Sequence, residues 1–178
     1  MLFKDIETWL GRVRVVFGSD PFRVLRLYLP DTFSRENAFE LSGFGGPTAD
    51  PECYSYAEDL CRMIRDYLNN KKPIDPPWQW LLFEGLTPLQ KLVLQTAAEI
   101  PFAGTRTYRD MAAAIGKPGA ARFVGNTMAV NPYPLIIPCH RVIKSNGTAG
   151  GFGGGTEMKK MLIAHEAGAK HSVLARLK

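Results

Sequence analysis

Three prolines within five residues, Pro73, Pro76 and Pro77, interrupt the chain near its middle. Each lacks a backbone N–H and fixes φ, so neither a helix nor a paired central strand can run through the cluster. The chain must fold as separate segments on either side, and the two sides differ in pattern. Before the prolines, Val13 to Phe17 and Phe22 to Leu29 are rich in Val, Leu, Phe and Tyr, with Gly18-Ser19-Asp20-Pro21 between them. That pattern predicts two strands joined by a short turn. Pro30 to Pro51, rich in Gly, Ser, Asp and Pro, reads as loop. Ala57, Leu60, Cys61, Ile64, Tyr67 and Leu68 then fall at helical spacing, with Arg62, Arg65 and Asp66 on the other side, the pattern of an amphipathic helix. Cys61 belongs to its apolar stripe, and packing is the reading for it and for Cys53.

After the prolines the signals are helical. Thr87-Pro88 is an N-cap with proline at the first helical position, and Leu89, Leu92, Val93, Ala97 and Ile100 are expected to form one face. Thr107 with Asp110 is a variant capping box for a helix through Ile115, ended by Gly116. Pro118 is expected to restart a helix to about Ala129, stopped before Asn131-Pro132. Two short helices around a glycine-containing turn have a helix-turn-helix shape, which many αα-corners share. The apolar Leu135-Ile136-Ile137 leads into Pro138-Cys139-His140-Arg141 and a glycine-rich loop, Gly147 to Gly155. Thr156 is expected to begin a last helix with Met158, Met161, Leu162 and His165 on one face, ending near Gly168. The expected fold is mixed α/β (α+β), with a small N-terminal α/β domain over 1–84 and a mainly helical C-terminal domain over 85–178.

Of the 178 residues, 46% are hydrophobic and 22% charged, the balance of a soluble chain with a real core. No apolar run approaches the ~18 residues of a membrane-spanning helix, and Met1 to Trp9 lack the basic leader of a signal peptide. Three cysteines are too few for a disulfide scaffold and favour a reducing compartment, the cytoplasm. Without a coiled-coil pattern, a monomer is expected. Residues 1–85 hold 10 Lys and Arg against 13 Asp and Glu, whereas residues 86–178 hold 12 against 4. A basic half of this size raises the potential towards polyanions, of which nucleic acid is the commonest. A solvated basic surface fits the charge equally well.

Chemistry concentrates at Cys139 and His140. A free thiol has a pKa near ~8.5 and is mostly protonated at neutral pH, so a nucleophile needs a base. An imidazole can serve directly or through one water. Neighbours in a regular strand point to opposite faces, so the pair requires a turn, which Pro138 favours. Glu166 is the candidate for orienting the imidazole. The glycine-rich loop lacks the Lys-Ser/Thr of a phosphate-binding loop and reads as a wall admitting a flat ligand. His165 is expected to pack on its helix, and His165, His171 and Cys139 have no metal-ligand spacing. No metal and no cofactor are expected. Gly119, Ala120 and Ala121 followed by Arg122 would let a helix enter a widened minor groove, with the arginine pushing into the base stack. Close packing on a neighbouring helix explains the same small residues.

Asn131-Pro132-x-Pro134, Pro138-Cys139-His140-Arg141-Val142 and the glycine-rich loop resemble the O6-alkylguanine–DNA alkyltransferases. The resemblance extends upstream through Ile100-Pro101-Phe102, Thr105-Arg106-Thr107-Tyr108 and Pro118-Gly119-Ala120-Ala121-Arg122, and downstream to Glu166. It implies an RNase H-like N-terminal domain and a winged-helix-like C-terminal one. It implies that Cys139 accepts an alkyl group from O6-alkylguanine in double-stranded DNA, irreversibly and once per molecule, with O4-alkylthymine as an alternative lesion. His140, oriented by Glu166, would act through a water, and Asn131 would lie in the hinge. Arg122 would replace the flipped base, and Tyr108 would press on the neighbouring phosphate and protonate the leaving guanine. Thr107, Ala120, Ala121 and Gly125 would belong to the DNA face, and Val142, Phe152 and Gly153 to the base pocket. Phe152 and Gly153 stand where tyrosine and serine are common in the family, Phe123 where alanine is usual, and Leu94 where tryptophan is frequent. A damage-binding protein without chemistry and a Cys-His hydrolase are the alternatives; the first would not need Cys139, and the second would turn over.

Overall fold

The computed structural model describes residues 2–32 and 51–169, and the chain divides into two units, Met1–Leu82 and Phe83–Lys178. In the first, β1 (Leu2–Thr8), β2 (Gly11–Ser19) and β3 (Phe22–Tyr28) form an antiparallel meander in that order. The sequence pattern signals β2 and β3. It misses β1, where the charges of Lys4, Asp5 and Glu7 break the apolar run and only Ile6 is fully buried. Those charges are used across the pair: Asp5 lies opposite Arg14 and Glu7 opposite Arg12, with ion-pair distances of 2.7 and 2.8 Å. α1 (Pro51–Asn70) lies on β1 and β2 and buries Cys53, Ala57, Leu60, Cys61, Ile64, Tyr67 and Leu68, the predicted stripe. Burial pushes the Cys61 thiol up to about 11, which makes it inert. Most of the Pro30–Pro51 segment, residues 33–50, lies outside the described residues. Past the prolines, Trp78–Trp80 form one 3-10 turn, and the rings of Phe22, Tyr56 and Trp80 meet at 5.4–5.5 Å.

The second unit holds α2 (Pro88–Ala98), β4 (Arg106–Thr107), α3 (Tyr108–Ala114), α4 (Ala121–Ala129), β5 (Val142–Ile143) and α5 (Gly155–Glu166). Thr87 caps α2 in a reciprocal box with Gln90. The buried face of α2 is Val93, Leu94, Thr96 and Ala97; Leu92, expected inside, is 41% exposed because that face is centred between Val93 and Ala97, which leaves Leu92 at its edge, about 100° round the helix from Val93. Thr107 and Asp110 form the predicted box at α3. Gly116 follows in the left-handed region (φ +70°), where its N–H and that of Lys117 close back on Ala113 and Ala112. Pro118 does not open the next helix. Pro118 and Gly119 sit in a turn closed by Ala120 N–H on the Lys117 carbonyl (2.8 Å), and α4 starts at Ala121. β4 and β5 pair in parallel, Arg106 with Val142 and Thr107 with Ile143; two residues each are too few to leave a periodic signal. The fold is mixed α/β, and among the described residues no helix is long and apolar enough to cross a membrane.

Candidate active site

The apolar stretch Tyr133, Leu135, Ile136 and Ile137 is buried core and delivers the chain into one 3-10 turn, Cys139–Arg141. This is the local reversal that adjacent Cys and His side chains need. The turn is tied by Cys139 N–H on the Ile137 carbonyl (2.8 Å) and Arg141 N–H on that of Pro138 (2.9 Å). Asn131, just after α4, braces it from the other side. Its Oδ1 accepts from the Tyr133 N–H (3.0 Å), its Nδ2 donates to the Ile137 carbonyl (2.9 Å), and its side chain hydrogen-bonds the Cys139 sulfur. Cys139 is 3% exposed. Burial raises its pKa above the ordinary thiol value, against the Asn131 amide, the positive charge of Lys159 and nearby backbone N–H groups, all of which favour the thiolate. The resting group is the thiol.

His140 is fully buried, with Nε2 2.9 Å from Oε1 of Glu166. A carboxylate only accepts, so Nε2 carries the proton and Nδ1 is the basic nitrogen. Glu166, near the end of α5, also takes Arg141 in a fork: Nε at 3.1 and 3.0 Å to its two oxygens, Nη2 at 2.9 Å to Oε1. Its Oε2 accepts from the Ala103 N–H (3.0 Å), and Arg141 Nη1 donates to the Ile100 carbonyl (2.7 Å). Burial lowers the imidazole pKa, with Glu166 pulling the other way. Below the unfolded-state value of ~6.5 the unfolded chain therefore binds a proton that the folded chain refuses, and stability falls as pH drops through that window. Urea midpoints measured from neutral pH downward are expected to fall less steeply for His140→Gln than for the wild type; equal slopes would contradict the assignment.

Parallel pairing of β4 with β5 sets the start of α3 beside the strand that follows the Cys139–Arg141 turn. Tyr108, the first residue of α3, thereby reaches the side chain of Lys159, whose Nζ donates to its hydroxyl at 3.3 Å. Lys159 is fully buried and donates also to the carbonyls of Val142 and Gly151. Burial raises the Tyr108 pKa, with the charge of Cys139 adding to it, and pushes Lys159 down to about 8.

The structure thus assembles Cys139, His140, Glu166, Asn131, Tyr108 and Val142, and sets the Phe152 ring edge-on to His140 at 6.5 Å between centroids. Gly153 is exposed. Arg122 is exposed on the first turn of α4, with Ala120 and Ala121 beside it half-buried. Thr107 is engaged in its cap, and Gly125 faces the Tyr108 ring, which a Cβ there would meet at 3.8 Å. His165 is buried on α5, whereas His171 lies outside the described residues. Sequence reasoning gave Lys159 no role. The available signal was its place on the α5 stripe, three residues before Leu162 and seven before Glu166, where a lysine is out of character.

Fold and site together define a protein with a buried cysteine in one turn with a carboxylate-held imidazole. Residues 88–168 match the family model described as the 6-O-methylguanine DNA methyltransferase, DNA binding domain. A methylated-DNA–protein-cysteine methyltransferase of Methanothermobacter thermautotrophicus is 45% identical over 107 residues, 60% of this chain and 59% of that one. The constitutive one of Bacillus subtilis is 33% identical over 162 residues, 90% of this chain and 92% of that one. A crystal structure of Mycobacterium tuberculosis OGT in complex with DNA superposes with a TM-score of 0.76 at 28% identity, covering 97% of this chain and 98% of that one. The chain spans only about half to three fifths of the length of the first relatives it matches. It belongs to the O6-methylguanine–DNA methyltransferase family.

Proposed function

We propose that the chain repairs O6-alkylguanine in duplex DNA by moving the alkyl group to Cys139, one event per molecule. The observation that carries this reading is the His140–Glu166 bond of 2.9 Å in the same turn as Cys139. The thiol proton passes to His140 through a water. The sulfur forms a bond to the alkyl carbon as the carbon–O6 bond breaks, and the electron pair stays on guanine, which takes the proton of the Tyr108 hydroxyl. The imidazolium and phenolate that remain are neutralised by proton exchange with solvent. The product thioether has nothing nearby to hydrolyse it.

Access to a buried sulfur requires the damaged base to leave the stack. Helices α3 and α4 act as a helix-turn-helix in a winged-helix-like domain over 85–178, with Ala120, Ala121 and Gly125 at the minor groove, Arg122 filling the vacated stack and Thr107 at the backbone. Val142, Phe152 and Gly153 line the base pocket, while residues 1–84 form an RNase H-like domain. The likeness to a DNA-bound relative and the exposure of Arg109, Lys117, Arg122 and Lys144 support this arrangement. The chain acts as a monomer, in the cytoplasm or, in a eukaryote, the nucleus.

The test is intact and peptide mass after incubation with duplex DNA containing O6-methylguanine. One methyl should replace one hydrogen on the Cys139 peptide, never exceeding one per chain, and Cys139→Ala should take none. Repeated turnover, or an unmodified peptide beside demethylated DNA, would refute the proposal. Binding should weaken with salt as phosphate contacts release counterions.

A further inference from the structure

Of the asparagines in the chain, Asn146 is the one followed by glycine. It sits in the exposed stretch Lys144 to Thr148, just after β5. The turn there is closed by Gly147 N–H on the Lys144 carbonyl and Lys144 N–H on that of Thr148, both at 2.9 Å. The Asn146 side chain forms an Asx turn, its Oδ1 accepting from the Thr148 N–H (3.2 Å) and hydroxyl (2.7 Å). Attack of the Gly147 nitrogen on Cγ of Asn146 closes a five-membered ring, and such intramolecular reactions gain greatly from proximity. Glycine brings no Cβ to hinder the approach, and the space around Gly147 is open. The other asparagines among the described residues lack this combination. Asn69, Asn70 and Asn126 are helical, and Asn131 precedes a proline, whose nitrogen carries no proton to give up.

We propose that Asn146-Gly147 is a self-modification site, where the turn converts the asparagine to aspartate and isoaspartate with water as the co-reactant. The Gly147 nitrogen gives its proton to solvent and bonds to Cγ of Asn146; the Cγ–Nδ2 bond breaks, and the amide nitrogen leaves as ammonia. One water then opens the cyclic imide. Addition at Cγ gives aspartate, and addition at the main-chain carbonyl leaves the chain running through Cγ as isoaspartate. The two Thr148 donors face the Oδ1 on which negative charge grows during the attack. The Gly147–Lys144 hydrogen bond opposes the attack, but on an exposed turn water replaces it at small cost. Aspartate sets a negative charge two residues from the exposed Lys144. Isoaspartate lengthens the turn that leads to Gly150, where even a Cβ would meet the Tyr108 hydroxyl. On the alkyl-transfer reading, on which this consequence rests, a molecule that has met no lesion loses its hold on DNA with age.

The folded chain, aged in warm, mildly alkaline buffer beside the same chain unfolded in urea, tests this by peptide mass. The Asn146 peptide should pass from amide to acid mass in the folded sample, with isoaspartate detected by enzymatic methyl labelling, while Asn70 and Asn126 stay amides. An Asn146 that remains an amide in the folded chain while the unfolded chain converts would overturn the proposal, because the turn then protects it. Conversion no faster than at Asn70 or Asn126 would overturn it too. Asn146→Ser cannot form the ring, so aged samples of that variant should keep their binding to an O6-methylguanine duplex and their methyl transfer, while aged wild type loses both in proportion to the modified fraction. Equal losses in the two would overturn the consequence for repair. Asn146→Asp should bind the duplex up to about fivefold more weakly at low salt, with the difference shrinking as salt rises; unchanged binding would overturn the part assigned to charge. Failure of fresh wild type to accept any methyl would remove the alkyl-transfer reading instead, and the modification, read by mass alone, would stand or fall separately.

Discussion

Glu166→Ala is expected to cost about 3–5 kcal/mol of folding stability, because it strands a buried Arg141 whose guanidinium donates to both carboxylate oxygens. Measured as the shift in urea midpoint, this should be among the largest single-residue effects in the second unit. Alkyl transfer should fall by about two orders of magnitude at a temperature where the variant is still folded, the usual worth of a positioned acid–base group. The two losses have different owners. The stability loss belongs to Arg141, and the rate loss to His140, whose Nε2 loses its acceptor and with it the fixed tautomer. The pair Arg141→Met with Glu166→Leu separates them, since removing both charges leaves neither of the two buried charges without its partner. That double variant should regain most of the stability and none of the rate. Recovery of both together would show that Glu166 acts on transfer only by holding the fold.

Much of this site was legible because its parts are local. Pro138 before Cys139 announces a turn, and Thr107 with Asp110 announces a helix start; both are short-range devices that the sequence states directly. The helical stripe on α1 was legible for the same reason, since each buried position lies three or four residues from the next. What the sequence hid is long-range. Arg106 and Val142 are 36 positions apart, so no pattern could announce that β4 and β5 pair and place Tyr108 beside the strand that follows the Cys139–Arg141 turn. Lys159 was hidden by composition, because a lysine reads as surface until its acceptors are known to come from three distant segments. Strand β1 was hidden by its charges, whose partners lie across the sheet on Arg12 and Arg14. Arg141 stood in plain view inside the motif, yet the fork onto Glu166 depends on α5 folding back 25 residues later.

Gly150→Ala is expected to slow transfer about a hundredfold, the effect of displacing a positioned group by roughly 1 Å. Gly150 sits at φ +72°, and a Cβ there would lie 2.9 Å from the Tyr108 hydroxyl and 3.1 Å from its ring. The phenol cannot retreat freely, because Gly125 closes on the ring from α4 and Lys159 holds the hydroxyl. The added methyl must therefore shift either the hydroxyl off Lys159 or the loop off its path, and in the proposed reaction both move the phenol proton. Backbone strain contributes as well, about 1–2 kcal/mol for an alanine forced into the left-handed region. Gly85→Ala is the control for that part, since Gly85 has φ +76° and open space around it. Both variants should lose stability in thermal melts, Gly150→Ala the more because of its contact with Tyr108, while only Gly150→Ala should lose rate in single-turnover transfer. If the two variants transfer at the same rate, the contact with Tyr108 does not limit the reaction, and the phenol is not the group that the glycine makes room for.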